Sequence, residues 1–169
     1  KKTKAIIPVS LFGQPSDMDK INLLAKKNNL KVIIDGAQSF GSTYNNKTDS
    51  YLGDISTTSF FPAKPLGCYG DGGAIFTSDE TLAQAMREIR VHGQSKRYEH
   101  TRVGVGGRMD TLQCAIVLAK LERFEWEVEQ RIAIGAHYNE LLKGKVKTTT
   151  LRADRTSVFA QYTVFVENR

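Results

Sequence analysis

The feature that most narrows the possible folds is a strand–helix–strand pattern near the start of the chain. Residues 5–9, Ala-Ile-Ile-Pro-Val, form a short apolar run suited to a buried strand. Asp17 follows Pro15-Ser16 as a helix start, with Met18, Ile21, Leu24 and Ala25 on the apolar side and Asn28-Asn29 as the stop. Lys31-Val32-Ile33-Ile34 is then a β-branched strand ending at Asp35-Gly36. Two strands and a helix within roughly 30 residues make a crossover unit. That unit predicts an α/β fold whose mainly parallel sheet carries helices on both faces.

Further strands are expected over 57–61 and 72–77, and a helix over 80–91. Residues 92–107 form a polar, glycine-bearing loop of about sixteen residues, long enough to suspect function. From 109 to 142 the pattern is helical, with Leu112, Ile116, Leu118, Leu121 and Phe124 on the apolar faces. Trp126 and Gly135 suggest a bend, or two helices in sequence. The composition changes after Gly144, and 158–166 alternates loosely like a strand. The chain opens on a buried strand and stops at Arg169 as a new strand has formed, so it reads as truncated at both ends.

The net charge of +6 comes from 24 basic and 18 acidic residues. The bases are scattered, and their densest group, Arg87 to Arg108, is interleaved with His, Gly and Glu. No nucleic-acid recognition pattern accompanies them, and small phosphorylated ligands explain a mildly basic face as well. The apolar runs are too short to span a bilayer, and Lys1-Lys2-Thr3-Lys4 leads straight into a strand with no signal peptide. Cys68 and Cys114 lack metal-ligand or redox spacing and read as free thiols in a reducing cytosol. A cytoplasmic protein is expected, with no metal, nucleic-acid or membrane partner.

Three features carry chemistry. Asp35 lies at the carboxyl end of an apolar strand, where open α/β sheets bind ligands. A carboxylate there can also cap a helix, with Gln38 as the other half of a capping box, and on its own the cap is the commoner role. Lys64 sits in Phe60-Phe61-Pro62-Ala63-Lys64-Pro65-Leu66-Gly67. Most lysines are solvated surface residues. Here, however, the flanking prolines oppose both helix and continuing strand, so the turn can fix an amine in place. A desolvated lysine near other cations becomes a nucleophile toward carbonyls. Gly67, Gly70, Gly72 and Gly73 then crowd one loop; the pattern fits no nucleotide fingerprint and equally suits a plain turn.

Read together, Asp35-Gly36-Ala37-Gln38-Ser39-Phe40-Gly41, Gly53-Asp54-Ile55, Ser59-Phe60, Lys64 and Gly72-Gly73-Ala74 resemble the DegT/DnrJ/StrS family of sugar aminotransferases. Leu11-Phe12-Gly13, Arg90-Val91-His92-Gly93 and Gly104 through Arg108-Met109 extend the likeness over about residues 5–142. The resemblance implies the large domain of a fold-type-I enzyme that uses pyridoxal 5'-phosphate (PLP). It implies residues 1–108 as part of that domain, 109–145 as a helical connection, and 146–169 as the start of a small α+β domain. Lys64 would then hold the cofactor as a Schiff base and shuttle the proton. Asp35 would pair with the pyridine nitrogen, Gln38 would lie near the ring hydroxyl, and Ser59 would bind the phosphate. Arg108 would reach the substrate of a neighbouring subunit in a homodimer with shared sites.

The activity so implied is transfer of an amino group from an amino acid such as glutamate to a nucleotide-linked keto-sugar, for surface-polysaccharide or glycan synthesis. Arg97-Tyr98-Glu99-His100 and 104–113 most resemble the branch acting on UDP-linked 3-keto-N-acetylglucosaminuronate, with Arg108 and Arg102 able to meet a substrate carboxylate or a diphosphate. A 4-keto-6-deoxy sugar, a PLP sugar dehydratase (whose lysine is replaced by histidine) and a non-catalytic regulator of the same fold are the alternatives. One departure stands out: Gly106 occupies the place of an asparagine that reaches the partner's cofactor phosphate, a contact that backbone amides could replace.

Overall fold

The computed structural model describes residues 2–167. Strand β1 (Ala5–Ile6) leads through a connection containing a 3-10 turn (Leu11–Gly13) into helix α1 (Met18–Asn28), which Asn29 ends in the left-handed conformation, and then into β2 (Lys31–Asp35). A short hairpin, β3 (Thr43–Tyr44) and β4 (Lys47–Thr48), precedes β5 (Ile55–Ser59) and β6 (Gly73–Phe76). The sheet order is β1-β2-β5-β6, with the first three strands parallel and β6 antiparallel to β5. The crossover expected from residues 5–35 is therefore present, and the strand expected at 57–61 lies two residues earlier.

Alternation along the strands decides what each face carries. Ile34 pairs with Ser56, and Ser56 with Phe76, so Val32, Ile34, Ser56, Thr58, Ala74 and Phe76 share one face. Helix α1 covers this face through Met18 and Ala25, which form a core with Val32, Ile34 and Tyr44. A second core on the same face joins Phe60, Leu66 and Cys68 to Val117 and Phe124, with Phe40 stacked 5.3 Å from the Phe124 ring. The opposite face carries Ile33, Asp35, Thr57, Ser59 and Ile75. Helix α2 (Glu80–Arg90), capped by the Asp79 side chain, borders a cavity of about 790 Å³ lined by Thr57, Ile75, Met86, Arg87 and Gly107 among others.

Residues 92–107 are more ordered than a plain loop, because they contain the hairpin β7 (Gln94–Lys96) and β8 (Glu99–His100). The helical stretch divides into α3 (Thr111–Leu121) and α4 (Phe124–Leu142). The break falls at Glu122–Arg123, earlier than Trp126 and Gly135 had suggested. Trp126 instead lies in the first turn of α4 under the Arg123 guanidinium, and Gly135 is buried in contact with the Phe159 ring. Only β10 (Val164–Phe165) of the strand expected at 158–166 forms, antiparallel to β9 (Lys147–Thr148). Val158 donates its amide to Gly13 O and the Tyr162 ring packs at a tilt against Tyr138, so that stretch follows neighbouring surfaces instead of a ladder.

Residues 152–158 dock on the start of the chain. The side chain of Arg155, 4% exposed, donates to Pro15 O (2.7 Å), Asp17 (2.8 Å) and Asp154 (2.7 and 2.8 Å). Its guanidinium also covers the Tyr44 ring at 4.7 Å. Among the described residues no helix is long and apolar enough to cross a membrane, and no cluster of His, Cys, Asp and Glu could hold a metal ion.

Candidate active site

Asp35 ends β2 and Ser59 ends the neighbouring parallel strand β5. Asp35 pairs with Thr57, two residues short of Ser59, so both side chains leave the same face at the same end of the sheet. No helix follows Asp35; residues 37–41 form turns. The helix-cap reading is thereby corrected: the carboxylate only closes a local turn, its Oδ1 accepting from Ala37 N at 3.1 Å. Gln38 does not answer as half of a capping box either, because its Oε1 accepts from Phe12 N at 2.7 Å. The physical reason is the loop itself, where Ser39 N closes on Gly36 O (3.1 Å) and the chain folds back before a helix can start.

These bonds leave particular groups unengaged. One oxygen of the half-buried Asp35 carboxylate has no partner among the described residues, and no cation pairs with it. With Oε1 held by Phe12, the Gln38 amide has its N–H donors left to face a ligand acceptor. The Ser59 hydroxyl oxygen accepts from Phe61 N at 3.2 Å, which leaves its proton to be donated to an anion.

Lys64 lies in the turn directly after β5, its backbone N bonded to Phe61 O at 2.9 Å. Its half-buried side chain makes no hydrogen bond or ion pair among the described residues. The loop around it is held hard. Cys68 N donates to Phe60 O (2.7 Å), Phe60 N to Gly72 O (2.8 Å), and the buried Cys68 thiol lies against both Phe60 O (2.9 Å) and Gly70 O (3.0 Å). At Gly67 a Cβ would stand 2.6 Å from Pro62 O, so only glycine lets the turn close. Helix α3 braces the loop from outside: Lys120 Nζ donates to Gly67 O at 2.5 Å and Gln113 Oε1 accepts from Tyr69 N at 2.8 Å. Sequence reading missed Gln113 and Lys120. Their spacing of seven, two helical turns, as polar residues on an apolar helix was the available signal.

Arg108 is exposed and without a hydrogen bond or ion pair among the described residues. Arg102 is engaged: its Nε donates to Glu88 at 2.6 Å, and Gln84 and Thr101 share the same carboxylate. The Gln84 amide and the Arg102 guanidinium hold the Glu88 carboxyl below its usual range. Glu88 thus pins the hairpin segment to α2, where Gly93, at φ +75°, admits the Arg102 carbonyl against its Cα. At Gly106 a Cβ would stand 3.0 Å from the His92 ring, so an asparagine there would displace His92. Of the two amides that could replace that asparagine, Gly107 N–H already donates to Arg90 O at 2.9 Å.

The unengaged groups fit PLP by type. Asp35 suits a protonated ring nitrogen, which removes the cost of an unpaired half-buried carboxylate. Gln38 suits a ring hydroxyl, Ser59 a phosphate, and Lys64 an aldehyde.

Comparison with known proteins gives the family. A UDP-2-acetamido-2-deoxy-3-oxo-D-glucuronate aminotransferase of Pseudomonas aeruginosa is 54% identical over 169 residues, covering 99% of this chain and 47% of the relative. A pleiotropic regulatory protein of Geobacillus stearothermophilus is 45% identical, covering 100% and 46%. The crystal structure of S. venezuelae DesV in complex with a ketimine intermediate superposes with a TM-score of 0.96 at 34% identity, covering 99% of this chain and 46% of DesV. The chain spans about half the length of the curated relatives it matches. The model of the DegT/DnrJ/EryC1/StrS aminotransferase family matches residues 1–169, and the chain belongs to that family.

Proposed function

We propose that the protein to which this chain belongs transfers an amino group from an amino acid such as glutamate to a nucleotide-linked keto-sugar, using PLP. The observation that supports it most is the set of unengaged groups at one end of the sheet: Asp35 and Ser59 on a shared face, and Lys64 in the braced turn that follows. When bound, PLP supplies a ring that withdraws electrons from the carbon bearing the amino nitrogen. Lys64 would hold the cofactor covalently and, as a free amine, would move the proton between carbon atoms. Asp35 keeps the ring nitrogen protonated, Gln38 faces the ring hydroxyl, and Ser59 binds the phosphate.

The 54% identity to the Pseudomonas aeruginosa enzyme favours UDP-linked 3-keto-N-acetylglucosaminuronate as substrate. Residues 1–108 then belong to the large domain, 109–145 connect it to the next, and 146–169 begin a small domain. The same reading makes a cytoplasmic homodimer in which Arg108 meets the substrate of the partner subunit.

The test is to incubate the intact protein with PLP, glutamate and a panel of nucleotide-linked keto-sugars. Mass spectrometry should find the 3-amino product of the UDP-uronate together with 2-oxoglutarate. Conversion of a 4-keto-6-deoxy sugar instead would move the substrate assignment. The 45% identity to a regulatory protein supports a second reading, a non-catalytic protein that keeps the fold. Cofactor absorbance unmoved by any amino donor would favour it.

A further inference from the structure

Beneath the turn that carries Asp35 and Gln38 lies a buried polar cluster with no cation in it among the described residues. Ser10, Ser39 and Ser42 are each 0% exposed and Asp49 is 3% exposed. Ser10 N donates to Asp35 O at 3.0 Å, which ties the segment after β1 to the end of β2. Ser39 N closes the turn on Gly36 O, and the Ser39 hydroxyl donates to Asp49 Oδ2. Ser42 reinforces the same point, its N and Oγ both donating to Ser39 O at 2.8 and 2.6 Å. Asp49 N donates in turn to Ser42 O at 3.2 Å. The Asp49 carboxyl and the Ser42 hydroxyl thus link the two ends of the β3–β4 hairpin to the underside of the Asp35 turn.

Two buried atoms in this cluster lack partners among the described residues: Ser10 Oγ and Asp49 Oδ1. A buried carboxylate with no cation is costly, and a buried hydroxyl without a partner adds to the cost. A hydrogen bond between Asp49 Oδ1 and Ser10 Oγ would remove both problems, while Oδ2 keeps the bond from Ser39. Burial pushes the Asp49 carboxyl up, and the Ser39 and Ser10 hydroxyls draw it only part of the way back.

We propose that Asp49 is a positioning residue for the cofactor: bridging Ser10 and Ser39 from below, it fixes the turn that holds Asp35 and Gln38. Asp49 touches neither cofactor nor substrate. This inference rests on the functional reading above, in which Asp35 and Gln38 face the ring. What the bridge requires is a side chain with two polar atoms that can bond both the Ser39 and the Ser10 hydroxyls. An amide meets that need and a methyl group does not.

The experiment compares wild type, Asp49→Asn, Asp49→Ala and Ser39→Ala in the intact protein. PLP affinity is measured by titration, and the induced circular dichroism of bound PLP reports how the ring is oriented. Asp49→Asn should keep PLP affinity within about threefold of wild type and keep the dichroic band. Asp49→Ala should weaken PLP by roughly tenfold or more and reduce the band. If Asp49→Ala does not fold, Ser39→Ala decides, since it removes one hydroxyl at nearly constant volume; it should weaken PLP about threefold or more. Unchanged PLP affinity and dichroism in Asp49→Ala or, failing that, in Ser39→Ala overturns the proposal. So does Asp49→Asn behaving as badly as alanine. A wild-type protein that binds no PLP would overturn the functional reading and this inference with it. Wild-type binding with indifferent variants overturns this inference alone.

Discussion

Two polar regions of the molecule are built from the same kinds of group and finish differently. Around Arg155 every guanidinium nitrogen has an acceptor, the flat face covers Tyr44, and the Tyr44 hydroxyl bonds Asp19 at 3.1 Å. At the carboxyl ends of β2 and β5, Asp35, Ser59 and Lys64 each keep unused bonding capacity while the turns around them are held by backbone hydrogen bonds. A saturated cluster is a fastener. It joins residues 152–158 to residues 13–17 and 43–45, and a further ligand would have to break bonds to enter it. An unsaturated cluster on a rigid frame is poised for a ligand, because the frame bears the cost of holding polar groups apart.

The contrast is most easily broken at Lys64. Lys64→Ala should abolish covalent PLP attachment, read by borohydride reduction and peptide mapping, and cut turnover by roughly a thousandfold or more. The fold should hardly notice, since the side chain bonds nothing among the described residues. Pyridoxyl label on a different lysine would remove Lys64 from the site.

Asp35→Asn should come next, with turnover down by roughly a hundredfold and thermal stability close to wild type. The amide still accepts from Ala37 N but cannot hold the ring nitrogen protonated. Normal turnover in this variant would reduce Asp35 to a turn-forming residue.

Arg155→Ala should behave in the opposite way. The buried Pro15 carbonyl loses its donor, at a cost on the order of 1–3 kcal/mol in stability, read by urea denaturation. Turnover well below the transition should change little. A large loss of turnover with unchanged stability would join the two regions into one site.

The smallest effect concerns acid. The Arg155 guanidinium, joined by Arg152, holds the Asp17 carboxyl below its ordinary value of 3.8. A depressed carboxylate contributes stability that is present above the unfolded value and lost as pH falls through the lower folded one. Asp17→Asn should therefore be slightly less stable than wild type at pH 7, and the difference should begin to shrink below about pH 3.8 and vanish once pH has fallen through the lower folded value. A difference that persists in acid would mean that shape at Asp17, not charge, matters.

Local chemistry was the legible part of the site. Strand ends, proline-flanked turns and the crossover are written in short stretches, so β2, α1 and the Lys64 turn could be placed from residues alone. Asp49 was not legible, because nothing near Lys47-Thr48-Asp49-Ser50 indicates that the carboxyl turns inward to meet Ser39. The Arg102–Glu88 pair was not legible for the same reason: only the fold brings the two together, and the contact takes up the Arg102 Nε. The end of the chain was the hardest to read. Val158 alternates with its neighbours as a strand would, yet its amide goes to Gly13, far away in sequence.

By itself the sequence determined the α/β class, the order of the first strands and the three residue types gathered at their ends. Hydrophobic period, proline and glycine act over a few residues and need no distant partner to be decisive. Tertiary structure alone decided which of the polar side chains would be saturated. That choice depends on which groups meet across long stretches of chain: among the described residues, Asp35 is left with an unpartnered oxygen, Asp49 is buried without a cation, and Arg155 is fully bonded. A buried polar atom must find its partner wherever the fold supplies one.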